Sequence, residues 1–296
     1  MYSQFFGNYL FSNGYITKEQ LLSALARQPK TTLLFSTKAL FSGSMSAQEI
    51  QHVNQLQKEE GKKFNEIAIK YGYLDQHQVM EILNTPVPNF LILGQILVKD
   101  EILTYEELEN VLTDYRSQAE FLDLELNEEN RNDFHRLIED FSIVSEYAIP
   151  SFGKDYLELL FNNLSRYIGD DFSTLPPSLC TEFATEHCVS QMIVGPYQAN
   201  TYLNMDEATA IAFAERYSNE TYTEVDEYVI AAIEDLLNLQ NGLFIVNASN
   251  EGLNDFSIGI VKKHPNTITN FLPDTFLFPI CYSFGIIYFV MEIIQY

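Results

Sequence analysis

The sequence predicts an α+β protein: an all-α N-terminal domain of helical-hairpin repeats, then an α+β domain with an antiparallel sheet and long helices. Three observations predict it. The first 115 residues repeat with a period of 29, each copy carrying helix-start and helix-stop signals. From residue 153 onward, amphipathic helical stretches are interleaved with runs of strand-forming residues. The apolar run from Phe276 to Ile293 breaks at Ser283-Phe284-Gly285, which fits two buried strands joined by a tight turn. That run is long enough to be weighed as a membrane span. Pro279 and Gly285 interrupt it, Glu292 lies inside it and no Lys or Arg flanks it, so a hairpin and no membrane span is expected.

The repeat shows in register after register. Thr17, Ser46, Asp75 and Thr104 stand 29 residues apart, and each suits a helix N-cap. Three residues after each come Gln20, Glu49, Gln78 and Glu107, completing four capping boxes. Ile16, Met45, Leu74 and Leu103 precede the caps, and Leu21, Ile50, Val79 and Leu108 follow the boxes. Gly14, Gly43 and Gly72 sit three residues before the cap, with Glu101 in the fourth copy, where a left-handed residue stops the preceding helix. Phe6, Phe35, Phe64 and Leu93 open the four units. Each unit is therefore a short helix, a turn and a capped second helix, and neighbours must stack to bury their apolar faces.

The pattern L-x-x-x-G-x-[IL]-[ST]-x-x-[QE]-[LI] resembles the N-terminal domain of GspE-type secretion and pilus ATPases over residues 1–115. Some domains of that class bind cyclic di-GMP through an Arg just before a Leu-Gly pair at the head of each repeat. Here those places hold Phe5, Leu34, Lys63 and Ile92, which offer no guanidinium to fork onto a phosphate. Protein docking or spacing is the expected role of the repeats, with a cyclic di-GMP effector as the minor alternative. After Tyr115 the repeat is lost. Residues 116–152 read as an acidic linker, helical over Asn127 to Phe141, with a boundary marked by Pro150 and Gly153.

In the second domain, residues 153–296, Tyr156, Leu159, Leu160, Leu164 and Tyr167 recur at helical spacing. Two strands are expected around the turn at Gly195-Pro196. Asn204, with Glu207 as its partner, is expected to cap the next helix, and Thr223, with Asp226, the one after. The stretch Asn254 to Lys263 and the C-terminal hairpin supply further strands. Wound at 100° per residue, the helix that follows Thr223 gathers Val225, Val229, Ala232, Leu236, Gln240 and Leu243 in one sector, with Ile233 and Leu239 at its edges. Glu227, Ala231, Glu234, Asp235, Asn238, Asn241 and Gly242 fall opposite. Asn238 is three residues from Asp235 and four from Glu234, so its amide can neighbour either carboxylate. A polar helix face is usually just solvated. The alternative is a carboxylate and an amide presented together, beside small residues, Ala231 and Gly242, that admit another surface.

The stretches from Asn200 to Asn219, Thr223 to Val229 and Ala232 to Gly242 resemble the CheX branch of the CheC/CheX/FliY chemotaxis phosphatases, and the likeness extends over residues 153–296. The resemblance implies removal of phosphate from the aspartyl phosphate of a CheY-type receiver. By position, Asn238 would orient the attacking water and Asp235 would pair with the receiver's Lys. Ala231, Asn241 and Gly242 would meet the partner. Such a site works by positioning rather than covalent chemistry. This chain would bind no cofactor, and the Mg²⁺ would belong to the receiver. The sequence departs from the family in three places. Asp235 replaces a Glu, Ala231 stands where an Asp or Ser is common, and a Pro is missing near Gly259. Glu234, one methylene longer, is the candidate to restore the lost reach. The alternative is a weak or inactive module that docks a receiver or dimerises through this domain.

The formal net charge of −24 argues against nucleic acid, because phosphate backbones need Lys and Arg to displace counterions. Between Asp155 and Val261 only Arg166 and Arg216 are Lys or Arg, a surface suited to a basic partner or simply to solubility. Cys180, Cys188 and Cys281 make an odd count with no CxxC pair and no Cys/His cluster at zinc spacing, so reduced thiols in a cytoplasmic protein and no metal site are expected. His187 and Cys188, adjacent on a strand, point to opposite faces. The opening residues have no basic region before an apolar run, so no signal peptide is expected.

Overall fold

Local hydrogen bonding sets the first unit before any packing does. The computed structural model describes residues 3–88, 90–125, 137–138, 141, 149–250, 252–253 and 255–295. Four helix pairs follow one another: α1 (Ser3–Ser12) and α2 (Lys18–Arg27), α3 (Phe35–Phe41) and α4 (Ala47–Glu60), α5 (Phe64–Lys70) and α6 (Gln76–Asn84), α7 (Phe90–Lys99) and α8 (Tyr105–Glu125). All four capping boxes form. Thr17, Ser46 and Asp75 each accept from the backbone N–H three residues on, and Gln20, Glu49 and Gln78 accept from the cap N–H in return. Glu107 N–H donates to Thr104 Oγ1 at 3.1 Å and Thr104 N–H to Glu107 Oε2 at 2.7 Å.

The turns between paired helices are equally regular. Gly14, Gly43, Gly72 and Glu101 take φ values of 74°, 70°, 77° and 59°. The next N–H then reaches back five residues, from Tyr15 to Leu10, Ser44 to Ala39, Tyr73 to Ala68 and Ile102 to Leu97, at 2.9–3.0 Å. Each bond satisfies a carbonyl that the helix end would leave without a partner. The flanking apolar residues Ile16, Met45, Leu74 and Leu103 are buried, as are Leu21, Ile50, Val79 and Leu108. At Gly94 a Cβ would lie 2.8 Å from Leu108 Cδ1, so glycine lets α7 and α8 meet closely.

The chain divides into two compact units, Met1–Arg131 and Asn132–Tyr296. Most of the expected linker helix, Asn127 to Phe141, lies outside the described residues. The second unit is built on an antiparallel sheet. Its strands are β1 (Ser173–Thr174), β2 (Ser178–Leu179), β4 (His187–Val194), β5 (Gln198–Met205), β6 (Ser257–Ile258), β7 (Lys262–Lys263), β9 (Thr275–Tyr282) and β10 (Gly285–Gln295), while β3 (Glu182–Thr185) and β8 (Thr267–Asn270) form a separate ribbon. The main path runs β1-β9-β10-β5-β4-β6, with β2 on β9 and β7 on β4. The C-terminal hairpin is therefore real, turning between Tyr282 and Gly285. Gly285 has φ 151°, and a Cβ there would overlap the Thr209 hydroxyl.

Three helices pack with this sheet: α9 (Ser151–Tyr167), α10 (Glu207–Ser218) and α11 (Glu227–Asn250). Tyr156 of α9 stacks on Phe289 of β10 at 5.4 Å, and α10 packs against β10 and α11. On β4, β5 and β10 the residues Val189, Leu203, Ile287 and Phe289 alternate with Cys188, Tyr202 and Val290, which form a second apolar cluster with Phe271 and Leu277. α11 is long and apolar enough to cross a bilayer by length and composition alone. Its apolar side, including Val229, Ile233, Leu236, Leu237 and Phe244, is buried in protein contacts. None of the three cysteines forms a disulfide, and burial pushes the Cys188 thiol up to about 12.

Two expected caps are displaced by two or three residues. Asn204 belongs to β5, where its Oδ1 accepts Glu186 N–H at 2.8 Å, and Asp206 caps α10 by accepting Thr209 N–H at 2.8 Å. Asp226, not Thr223, caps α11, accepting from Tyr228 and Val229 N–H at 3.0 Å each. In both places the carboxylate immediately before the first helical residue reaches the free N–H groups, and the earlier residue does not. The Asn254 to Lys263 stretch yields two short strands, β6 and β7, rather than one.

The turn analysis yields a first prediction. Glu101 holds a left-handed conformation that costs a non-glycine residue about 1–2 kcal/mol. Glu101→Gly should therefore raise stability by about 0.5–1 kcal/mol after the entropy of a freer unfolded chain is subtracted. Urea unfolding followed by circular dichroism reads this directly, and a lower midpoint would contradict it.

Candidate functional site

The expected residues stand on α11. Ala231, Asp235 and Asn238 are exposed, and Glu234 is half-buried. They border an open groove beside α11, whose other walls include Tyr217, Tyr222 and Tyr228. Glu234 and Asp235 line it, and among the described residues no Lys or Arg does. Gly242 lies further along the helix, where an added Cβ would meet nothing within 4 Å.

Each polar residue leans on a different neighbour. Tyr217 at the end of α10 donates its hydroxyl to Asp235 Oδ2 at 2.6 Å. Burial, and then the bond to this carboxylate, push the Tyr217 phenol well above its ordinary pKa, so it remains a donor at neutral pH. Glu234 leans the other way and pairs with Lys263 of β7 at 3.2 Å. Asn238 lies between the two acids, and its Oδ1 accepts from Gln191 Nε2 at 2.9 Å. Among the described residues Asp235 is therefore hydrogen-bonded only to a neutral donor, while Glu234 already has a cation.

Asn241 is a correction. It was expected on the partner-facing side, but it is fully buried, so it cannot meet a partner. The buried sector of α11 is wider than the apolar stripe alone, because Leu237, Phe244 and Ala248 are also inside. This carries its edge past Asn241, which turns toward the sheet.

There Asn241 joins a chain of buried polar groups. Tyr156 Oη donates to Asn241 Oδ1 at 2.6 Å, and Asn241 Nδ2 donates to Gln191 Oε1 at 2.9 Å and Thr201 Oγ1 at 3.0 Å. Thr201 Oγ1 donates to the Gln191 carbonyl at 3.1 Å. Gln191 Nε2 also donates to the Gly259 carbonyl at 2.8 Å. Gln240 completes the layer, donating to the Tyr156 carbonyl at 3.1 Å and accepting from Asn163 Nδ2 at 2.7 Å. The exposed Asn238 amide is thus the outer end of a buried network that joins α9, α11, β4 and β5.

Tyr217, Lys263, Gln191 and Tyr156 are absent from the sequence-based site. Gln191 had a readable signal: it is polar at an inward position of β4, between Val189 and Ile193. A polar residue at a core position needs partners, which marks it for inspection. Tyr217 and Lys263 carried no such mark, because each meets α11 only through tertiary packing. Among the described residues no three His, Cys, Asp or Glu side chains are grouped so as to hold a metal ion.

No family model and no curated protein matches the chain. Solved structures similar to about half of it are CheC- and CheX-like proteins. A CheC-like superfamily protein from Shewanella sp. PV-4 aligns with TM-score 0.44 at 19% identity, covering 50% of this chain and 100% of that one. Chemotaxis protein CheX from Vibrio vulnificus aligns with TM-score 0.43 at 16% identity, covering 49% and 100%. The CheX–CheY–BeF3–Mg²⁺ complex from Borrelia burgdorferi aligns with TM-score 0.44 at 17% identity, covering 49% and 99%.

The buried network predicts a stability effect separable from any activity. Asn241→Ala strands the Tyr156 hydroxyl and the Gln191 carbonyl oxygen together, at a cost of about 2–4 kcal/mol. Denaturant titration of the full chain should show this, and a loss below about 1 kcal/mol would mean the network does not hold α11 to the sheet.

Proposed function

We propose that the second unit is a phosphatase for the aspartyl phosphate of a CheY-type receiver domain. The observation that carries this reading is the pairing on α11: Asn238 and Asp235, one turn apart, are both exposed beside an open groove while the neighbouring amide Asn241 is buried. The resemblance of Ala232 to Gly242 to the Glu-x-x-Asn helix of the CheX branch gives the two residues their roles.

An acyl phosphate already carries a good leaving group, so the chain need only place a water in line with phosphorus. The water oxygen bonds to phosphorus as the bond between phosphorus and the aspartyl oxygen breaks, leaving inorganic phosphate and a free carboxylate on the receiver. Asn238 has one Oδ1 lone pair and both Nδ2 protons free to orient that water and a phosphoryl oxygen. Asp235 offers its second oxygen to a cation of the receiver. Mg²⁺ and the phosphorylated Asp are the receiver's contribution. Homodimerisation through this unit, and docking or spacing by the repeats, complete the proposal.

The alternative, receiver docking without catalysis, has its own supporting observation: Asp235 is a short acid whose one oxygen is already taken by Tyr217. One assay separates the two. With a phosphorylated receiver and Mg²⁺, the full chain should speed phosphate release, and Asn238→Ala should lower the rate by about 10²-fold or more. Binding of the phosphorylated receiver without faster release, or an undiminished variant, would leave only the docking role.

A further inference from the structure

We infer that Gln191 is a positioning residue for the α11 site, fixing which way the Asn238 amide faces. The inference rests on the phosphatase reading and deepens it. Gln191 is 2% exposed, both of its Nε2 protons are engaged, by Asn238 and by the Gly259 carbonyl, and its Oε1 accepts from Asn241. A backbone carbonyl can only accept, so the contact with the Gly259 carbonyl requires the NH₂ end of Gln191 on that side. With Nε2 there, the second Nε2 proton meets Asn238, and Asn238 must answer with its carbonyl oxygen. The Gln191 carbonyl oxygen then faces Asn241 Nδ2, whose own oxygen takes the Tyr156 hydroxyl. One obligate acceptor thereby sets the polarity of the whole chain.

The consequence at the surface is specific. Asn238 cannot turn its NH₂ inward without pointing donor at donor, so it presents its Nδ2 protons and one Oδ1 lone pair to the groove. An exposed asparagine without this support would rotate freely, and the ordering would have to occur at each turnover. Gln191 touches neither water nor phosphate. It acts only through Asn238.

Coupling is the test. Gln191→Met keeps the length of the side chain and removes both donors. In the full chain with a phosphorylated receiver and Mg²⁺, kcat should fall roughly ten- to a hundredfold. KM should stay within about twofold. Added to Asn238→Ala, the same substitution should cost nothing further, because the group it positions is gone. A loss that multiplies in the double variant would assign Gln191 a merely structural role and overturn the inference. Because Gln191→Met strands the Gly259 carbonyl and Asn241, a second measurement on a better-folded protein accompanies it. The Gln191 Nε2 protons should exchange slowly with solvent in the wild type and about tenfold faster in Asn238→Ala. Unchanged exchange would show that the two amides do not pair, and the inference would fall. Faster exchange with an undiminished Asn238→Ala rate would leave the pairing intact and place the failure in the phosphatase reading.

Discussion

Asn241 is the residue on which the second unit depends. Its amide bonds to a hydroxyl from α9, an amide from β4 and a hydroxyl from β5, so one buried side chain joins the helical layer to the middle of the sheet. In an apolar interior each of those groups would be costly alone, and satisfied together they admit a single arrangement. Apolar contacts would let α11 slide or roll by a fraction of a turn. Hydrogen bonds with obligate donors and acceptors do not. The exposed residues on the other side of α11 inherit their placement from that lock.

The first unit works by a different economy. Its order is written in short-range bonds repeated four times, each box and each left-handed turn closing within six residues. Such signals depend on no distant partner, which is why Thr17, Ser46, Asp75 and Thr104 could be identified as caps from spacing alone and all four form. Even the exception is instructive. Glu101 adopts the same turn as the three glycines despite its Cβ, because the bond from Ile102 to Leu97 and burial of Leu103 impose it.

The second unit was legible in its elements and less so in its details. The C-terminal hairpin followed from Gly285 and a β-rich run. The caps at Asn204 and Thr223 were misplaced because both stretches hold several capping residues in a row, and only the strand end and the helix start decide among them. Asn241 was misplaced for a deeper reason. A helical wheel centred on the apolar residues takes in Gln240 and leaves Asn241 opposite, yet this helix buries both on partners in other elements. No periodicity in one segment can report a hydrogen bond to Tyr156, 85 residues away.

The electrostatics of the groove constrain what it can receive. Among the described residues its walls carry Glu234 and Asp235 and no Lys or Arg, and Lys263 is paired with Glu234. Against a formal charge of −24 such a surface repels a bare phosphate. A phosphoryl group would approach it more readily if its own carrier brought the neutralising charge. This is the reverse of an ordinary phosphate site, where the protein supplies the cations and the ligand the charge. Under the proposed function, such a groove suits a phosphorylated protein that arrives with its own cations better than a free phosphate ester, and an orienting amide is what α11 would contribute.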